Sequence, residues 1–166
     1  MLRELTLEDE GPFLTMTNKS QHFHHPWVQA PLTSAQFQAL CERSLQSERQ
    51  KCFLIGQGSQ IIGVINVSEI VRGNFQSAYL GFYCSVDFAG QGWMSQGLKL
   101  LINHAFSELK LHRLEANIQP QNHTSIRLVK RHGFRQEGLS LRYLKINDVW
   151  CDHLRFAITQ EEWKHP

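Results

Sequence analysis

The stretch that decides the fold runs from Val86 to Ser95 and reads VDFAGQGWMS. It follows an apolar run, Ser77 to Val86, whose β-forming residues predict a strand. It leads into residues 91 to 109, where apolar side chains recur at steps of three and four and predict an amphipathic helix. Gly90 and Gly92 lie in the connection. The sequence therefore predicts a strand, a glycine-rich turn and a long helix in direct succession.

A turn of this kind offers backbone donors to a ligand. The first amides of a helix have no acceptor within the helix and carry partial positive charge, which suits a phosphate group. Glycines allow the left-handed backbone angles that gather such amides around an anion. The same pattern is also typical of a plain turn that caps a helix, so the surrounding chain must distinguish the two readings.

The rest of the chain predicts alternating strands and helices. The 166-residue sequence contains no internal repeat and no linker, which predicts a single domain over residues 1–166. The predicted order is strand, helices, three strands, helix, strand, helix and two strands, which gives an α/β mixed sheet with helices on both faces. The predicted elements outside the central stretch are an edge strand at 2–6, a helix starting at 8–10, an irregular segment at 22–31, a helix after Thr33, strands at 52–55 and 61–71 joined by a turn at 56–60, a strand at 113–118, a helix at 122–132, and a hairpin of 134–146 and 149–158.

Composition excludes several classes of protein. The net charge of +2 and the absence of a basic stripe argue against a dedicated nucleic-acid binder. Residues 1–5 show no leader pattern, and no stretch approaches the ~18 apolar residues of a membrane span, so we expect a cytoplasmic protein without a membrane partner. No metal is expected, because the cysteines are scattered and read as reduced core thiols: Cys41, Cys52, Cys84 and Cys151.

Residues on both sides of the central turn resemble a known family. Ala89 to Met94 is similar to the Arg/Gln-x-x-Gly-x-Gly/Ala motif of the GNAT N-acetyltransferases, and Asn122 to Phe134 is similar to that family's Asn-x-x-Ser-x-Arg…Gly-Phe helix. Tyr143 to His153 resembles the RimJ-type ribosomal-protein alanine N-acetyltransferases, as do Val71 to Phe82 and His25 to Trp27. These matches cover most of the chain. The resemblance implies the GNAT acyl-CoA N-acyltransferase fold.

The chain departs from the family pattern in two places. In the turn, Ala89 stands where the motif prefers Arg or Gln, and Met94 stands where it prefers Gly or Ala. In the second helix, Val129 occupies the position at which many relatives carry a tyrosine as general acid. The backbone amides of the turn remain, so the resemblance still implies phosphate binding, while the identity of the acid stays open.

The resemblance implies direct transfer of an acetyl group from acetyl-CoA, the co-substrate, to a primary amine. The preferred acceptor is the N-terminal α-amine of a protein such as a ribosomal protein. Two alternatives remain: a small-molecule amine acetyltransferase acting on a polyamine, aminoglycoside or amino acid, and a non-catalytic acyl-CoA-binding sensor. The oligomeric state stays open, with a homodimer as one option. The expected cofactor-binding residues are Gly90, Gln91, Gly92, Trp93, Met94 and Ser95 in the turn, Cys84, Ser85 and Val86 through their amides, and Asn122 and Ser125.

Three catalytic roles follow from the same resemblance. Glu115 is the first candidate for the general base and Glu69 the second, although a surface or ion-paired carboxylate explains Glu115 equally well. The amides of residues 84–86 are expected to face the thioester carbonyl. Ser125 offers a hydroxyl to the leaving thiolate and Asn122 an amide, with helix capping as the alternative role for Asn122. Cys84 has largely apolar neighbours in sequence and is expected to pack in the core rather than act as a nucleophile.

Overall fold

The computed structural model describes residues 1–58 and 60–164. The helices are α1 (Glu10–Lys19), α2 (Gln21–His24), α3 (Ser34–Gln46), α4 (Trp93–Ser107) and α5 (His123–Arg131). The strands are β1 (Leu2–Glu4), β2 (Lys51–Gln57), β3 (Gln60–Val71), β4 (Ser77–Cys84), β5 (Arg113–Ile118), β6 (Arg135–Ile146) and β7 (Val149–Thr159). Within this part of the chain, every helix is too short or too polar to cross a membrane.

The strands form one mixed sheet in the order β1-β2-β3-β4-β5-β7-β6. The neighbours β4 and β5 run parallel, and every other described pair is antiparallel. The succession β2, β3 and β4 is the predicted antiparallel meander, and β6 and β7 form the predicted hairpin. The prediction of a mixed sheet is therefore confirmed.

Helices cover both faces of the sheet. On one face, α4 buries its apolar stripe completely, with Leu98, Leu101 and Ile102 at 0 % exposure. Each such side chain contributes about 1.5–3 kcal/mol by leaving water. On the other face, α1 and α3 meet through Phe13 and Phe37, whose rings pack edge-to-face with centroids 5.0 Å apart. The prediction of helices on both faces is confirmed.

The centre of the sheet opens between its two parallel strands. β4 and β5 pair from Ser77↔Arg113 to Leu80↔Ala116. Both strands continue beyond this last pair, β4 to Cys84 and β5 to Ile118. Two strands that continue without pairing diverge, and their facing backbone groups are left for another partner. The divergence lies at the ends of β4 and β5 that lead towards α4 and α5.

Three local predictions differ from the structure or lie partly outside it. β4 ends at Cys84 rather than Val86, because the Ser85 hydroxyl accepts a hydrogen bond from Asp87 N at 3.3 Å and caps a short 3₁₀ turn, Val86–Phe88. The segment predicted as irregular at 22–31 begins inside α2. The predicted turn at 56–60 includes residue 59, which lies outside the described residues.

Candidate functional site

The turn before α4 has the geometry of an anion-binding loop. Gly90 and Gly92 adopt φ angles of 76° and 85°. An added Cβ at either position would meet no described atom within 4 Å, so the positive φ, rather than lack of space, favours glycine there. Gly92 is the N-cap of α4, and the helical hydrogen bonds begin with Gln96 N donating to Gly92 O at 3.1 Å. The amides of residues 93–95 precede that bond and carry the positive end of the helix dipole.

Contacts from the end of α1 hold this loop in place. Lys19 and Asp87 form an ion pair at 2.7 Å, and Val86 N donates to the Ser20 hydroxyl at 3.0 Å. The Gln91 side chain donates to Asp87 O at 2.9 Å, so its amide group folds back on the loop. Ser95 has its hydroxyl 2.9 Å from His132 Nε2 at the end of α5. The loop is therefore fixed by side chains, while its glycine backbone remains exposed.

Two of the three residues that depart from the family pattern, Met94 and Val129, have a structural explanation. Met94 packs over β3 at Gly63, where an added Cβ would lie 2.4 Å from the Met94 sulfur. The larger residue in the loop is thus accommodated by a glycine in the strand beneath it. Val129 is fully buried in the core with α4. Its side chain belongs to the packing of α5 against the sheet, so no acid acts from that position.

A cavity of about 440 Å³ occupies the divergence of β4 and β5. Asn122 and Ser125 reach it from α5, which packs on the same face as α4. Trp27 reaches it from the segment after α2, whose next residue, Val28, packs against the apolar cluster of α1 and α3 on the opposite face. The cavity therefore joins the two faces of the sheet through its centre. Its lining residues are Trp27, Val28, Ser68, Glu69, Tyr79, Leu80, Gly81, Phe82, Asn117, Ile118, Gln119, Asn122, Ser125, Tyr143, Leu144, Ile146 and His153.

Asn122 combines a capping role with a position on the cavity. Its Oδ1 atom accepts a hydrogen bond from Ser125 N at 3.2 Å, which caps α5. Its amide nitrogen and the Ser125 hydroxyl are not used in that bond, and both residues line the cavity. The helix-capping role that the sequence left open for Asn122 is therefore present in the structure. Its catalytic role remains a prediction.

The predicted general bases lie in ion pairs. Glu115 binds Arg113 Nε at 2.9 Å, and Arg113 also holds Glu137. The pKa of Glu137 is lowered, first by its hydrogen bond to Arg113. Glu115 is absent from the residues that line the cavity, whereas Glu69 lines it and pairs with Arg49 at 2.7 Å. The structure thus shows Glu115 as an ion-paired strand carboxylate, and its role as the base stays a prediction.

The structure corrects the prediction for the amides of residues 84–86. Ser85 N already donates to Ile62 O at 2.8 Å, and Val86 N donates to Ser20, so neither is free for a thioester carbonyl. Backbone groups along a strand alternate between the two sides. Since Ser85 N points towards β3, the amides of Cys84 and Phe82 point to the opposite side, where β5 has diverged. Phe82 is therefore a backbone donor that the sequence analysis missed.

The environment of Cys84 disfavours a nucleophilic role. Burial raises the pKa of its thiol, which reduces the thiolate fraction at neutral pH. Its carbonyl oxygen accepts a hydrogen bond from His24 Nε2 at 2.9 Å. His24 is buried, with 4 % exposure, although it lies in the segment predicted as irregular. Both groups therefore support the end of β4.

Several polar residues of the cavity were not singled out from the sequence. Tyr79 from β4 and Tyr143 from β6 share a hydrogen bond, which with burial raises the pKa of Tyr79 to about 12. Asn117 and His153 line the same cavity from β5 and β7. The alternation of β5 places Asn117 on the face of Glu115, and this signal was available in the sequence. Trp27 lines the cavity, whereas Trp150 lies elsewhere and is 59 % exposed.

The fold and the site together define a known family. Residues 1–135 match the model of the acetyltransferase (GNAT) domain. The chain therefore belongs to the GNAT acetyltransferase family.

Several proteins of known name are similar to this chain in sequence or in structure. The ribosomal protein uS5-alanine N-acetyltransferase of Escherichia coli is 38% identical over 104 residues, which is 63% of this chain and 54% of that protein. The structure of Mycobacterium smegmatis RimJ in complex with CoA-disulfide is 27% identical, with a TM-score of 0.90 over 97% of this chain and 82% of that chain. The Vibrio cholerae spermidine N-acetyltransferase, solved with CoA and spermine, shares the fold at 21% identity and a TM-score of 0.82 over 98% of this chain and 96% of that chain. The chain spans about half the length of the curated relatives it matches.

Proposed function

We propose that the protein transfers an acetyl group from acetyl-CoA to the N-terminal α-amine of a protein, with a ribosomal protein as the preferred class of acceptor. The observation that carries the proposal is the cavity at the divergence of β4 and β5, which joins the side of α5 to the side of Trp27. A thioester on one side and an amine on the other would meet in it. The proposal treats residues 1–166 as one catalytic domain acting in the cytoplasm.

The residues of the loop and of β4 fit acetyl-CoA. The left-handed Gly90 and Gly92 and the amides of residues 93–95 would hold the diphosphate. The outward amides of Phe82 and Cys84 would face the pantetheine arm and the acyl carbonyl. Bound acetyl-CoA would supply an activated acyl group and a leaving thiolate whose thiol pKa is about 8.5. The buried Asn117 Oδ1 atom has no hydrogen-bond partner among the described residues, as expected of a group that a ligand satisfies.

The charge of the cavity favours an α-amine over a polyamine. Glu69 is the one carboxylate among the described lining residues, and it is exposed and paired with Arg49. A polyamine carries several ammonium groups and would need several acidic partners. An α-amine, with a pKa of about 8, becomes neutral at pH 7 at a cost of about 1.4 kcal/mol, compared with about 4.6 kcal/mol for a lysine side chain.

The test is an acceptor panel with acetyl-CoA and the purified protein. The panel contains peptides that begin with Ala or Ser, the same peptides with a blocked N-terminus and one internal lysine, and spermidine. We expect release of free CoA and a mass increase of one acetyl group with the free N-termini alone. Preferred turnover of spermidine or of the blocked peptide would contradict the acceptor class, and CoA binding without turnover on the whole panel would favour the sensor.

A further inference from the structure

We propose that His153 is the general base that accepts the proton of the attacking amine, an inference that rests on the proposed function. His153 lies on β7, is 3 % exposed and lines the cavity at the divergence of β4 and β5. Histidine is intermediate in how often it is buried, and a buried polar ring needs hydrogen-bond partners. Its position places an ionisable ring in the space where amine and thioester would meet.

The hydrogen bonding of the ring fixes its tautomer. His153 Nδ1 lies 2.9 Å from the carbonyl oxygen of Cys151. A carbonyl oxygen only accepts, so Nδ1 of the neutral ring carries the proton and donates it. The other nitrogen, Nε2, therefore has its lone pair available as a proton acceptor. When Nε2 takes a proton, the bond from Nδ1 to Cys151 persists and supports the charged ring.

Asn117 supplies a second acceptor beside this ring. β5 and β7 pair through Asn117↔Arg155 and Ile118↔Leu154, and His153 follows directly beyond the latter pair. Alternation places Asn117, Arg155 and His153 on one face of the sheet. The partnerless Asn117 Oδ1 and His153 Nε2 together offer two acceptors to the same cavity. A neutral primary amine has two N–H donors and one lone pair, so both donors are satisfied while the lone pair remains for attack.

The titratable groups around His153 do not compete with it for the proton of the amine. The centroid of the Tyr143 ring lies 6.1 Å from the centroid of the His153 ring. The hydrogen bond with Tyr143 raises the pKa of Tyr79 to about 12, so the Tyr79 hydroxyl is neutral at physiological pH. Glu115 and Arg155 lie on the same face with opposite charges. Since Glu115 is held by Arg113, it does not compete for the amine proton at the cavity.

In this reaction the acetyl group passes directly from the thioester to the amine. The amine nitrogen forms a bond to the acyl carbon with its lone pair, and one N–H proton passes to His153 Nε2. The bond between the acyl carbon and sulfur breaks with its electron pair on sulfur, and the thiolate takes a proton from solvent. Histidine then returns its proton to solvent, and the products are an N-acetyl amide and CoA.

The test compares His153→Gln with the wild type on an Ala-starting peptide. Glutamine retains a polar side chain of similar size but cannot take a proton. We expect kcat to fall by about 100-fold or more, the Kd of acetyl-CoA to stay within about twofold, and the acid limb of the wild-type kcat–pH profile to disappear. His22→Gln, which changes an exposed histidine outside the cavity, is the matched control and is expected to retain wild-type kcat.

Chemical rescue separates a proton acceptor from a structural role. In His153→Ala, added imidazole should restore turnover in a concentration-dependent way, which also decides the matter if His153→Gln does not fold. A His153→Gln variant within about threefold of the wild-type kcat, or a His153→Ala variant that imidazole does not rescue, would overturn the inference. A wild-type protein that acetylates no acceptor would instead show that the proposed function itself fails.

Discussion

His24 donates a hydrogen bond from its Nε2 atom to the carbonyl oxygen of Cys84, across 2.9 Å and between residues 60 positions apart in the chain. The bond joins α2 to the end of β4, on the side from which β5 has diverged. The ring also packs edge-to-face on Tyr83, with centroids 5.0 Å apart. One buried side chain thus holds the last residue of β4 just before the chain enters the glycine-containing turn that precedes α4.

The burial of His24 predicts a pH dependence of stability. Burial lowers the pKa of His24 below its usual value of 6.5, while the hydrogen bond to Cys84 opposes the shift. The unfolded chain therefore binds this proton more readily, so the stabilising contribution is complete above pH 6.5 and is lost as the pH falls through the lower folded pKa. We expect the free energy of unfolding in urea to fall more between pH 7.5 and 5.5 in the wild type than in His24→Gln. An equal fall in both proteins would contradict the assignment of a buried neutral histidine.

The contact between Gly63 and Met94 predicts a packing defect on substitution. In Gly63→Ala the new Cβ would lie 2.4 Å from the Met94 sulfur and 3.3 Å from Tyr83 O. We expect the free energy of unfolding to fall by about 1–3 kcal/mol, the usual cost of overpacking. Gly81→Ala, whose Cβ would meet no described atom within 4 Å, is the control and should change stability little.

A double variant tests the cause of that defect. If the clash with sulfur is responsible, Gly63→Ala should destabilise the Met94→Ala variant less than it destabilises the wild type. An equal cost in both backgrounds would show that the strain lies against the backbone of β4 instead.

Substitutions of Asn122 distinguish its two roles. Asn122→Ala removes the cap of α5 and should cost about 1 kcal/mol of stability, in addition to any loss of activity. Asn122→Asp keeps an oxygen acceptor for Ser125 N, so it should retain stability, but it removes the amide donor on the cavity. We expect kcat/KM of Asn122→Asp to fall about tenfold or more at near-wild-type melting temperature. If Asn122→Asp retained wild-type turnover, helix capping would be the only role of Asn122 and the catalytic assignment would be wrong.

Much of this fold was predictable because local patterns agree with tertiary packing. The apolar period of α4 and the β-rich runs of β2, β3 and β4 each specify an element without help from distant residues. The glycines of the loop were also readable, since a turn between a strand and a helix often requires positive φ. The order of these elements was then enough to predict a mixed sheet.

Long-range contacts limited the prediction of the site. The hydroxyl of Ser20, which is distant in sequence, accepts the hydrogen bond from Val86 N. The turn before α4 is therefore anchored by the placement of α1 and not by its own local sequence. The place of His153 beside Asn117 depends on the register between β5 and β7. Register and side-chain hydrogen bonds are tertiary properties, so a single sequence gives little signal for them.

We propose that the amides opening α4, with Gly90 and Gly92 before them, bind the diphosphate of CoA. Titration calorimetry with CoA and with pantetheine, which lacks the nucleotide diphosphate, measures this directly. We expect CoA to bind at least about tenfold more tightly than pantetheine, because charge-assisted hydrogen bonds to a diphosphate are worth about 1.5–3 kcal/mol each. Equal affinity for the two ligands, or no heat with CoA at high excess, would contradict the account.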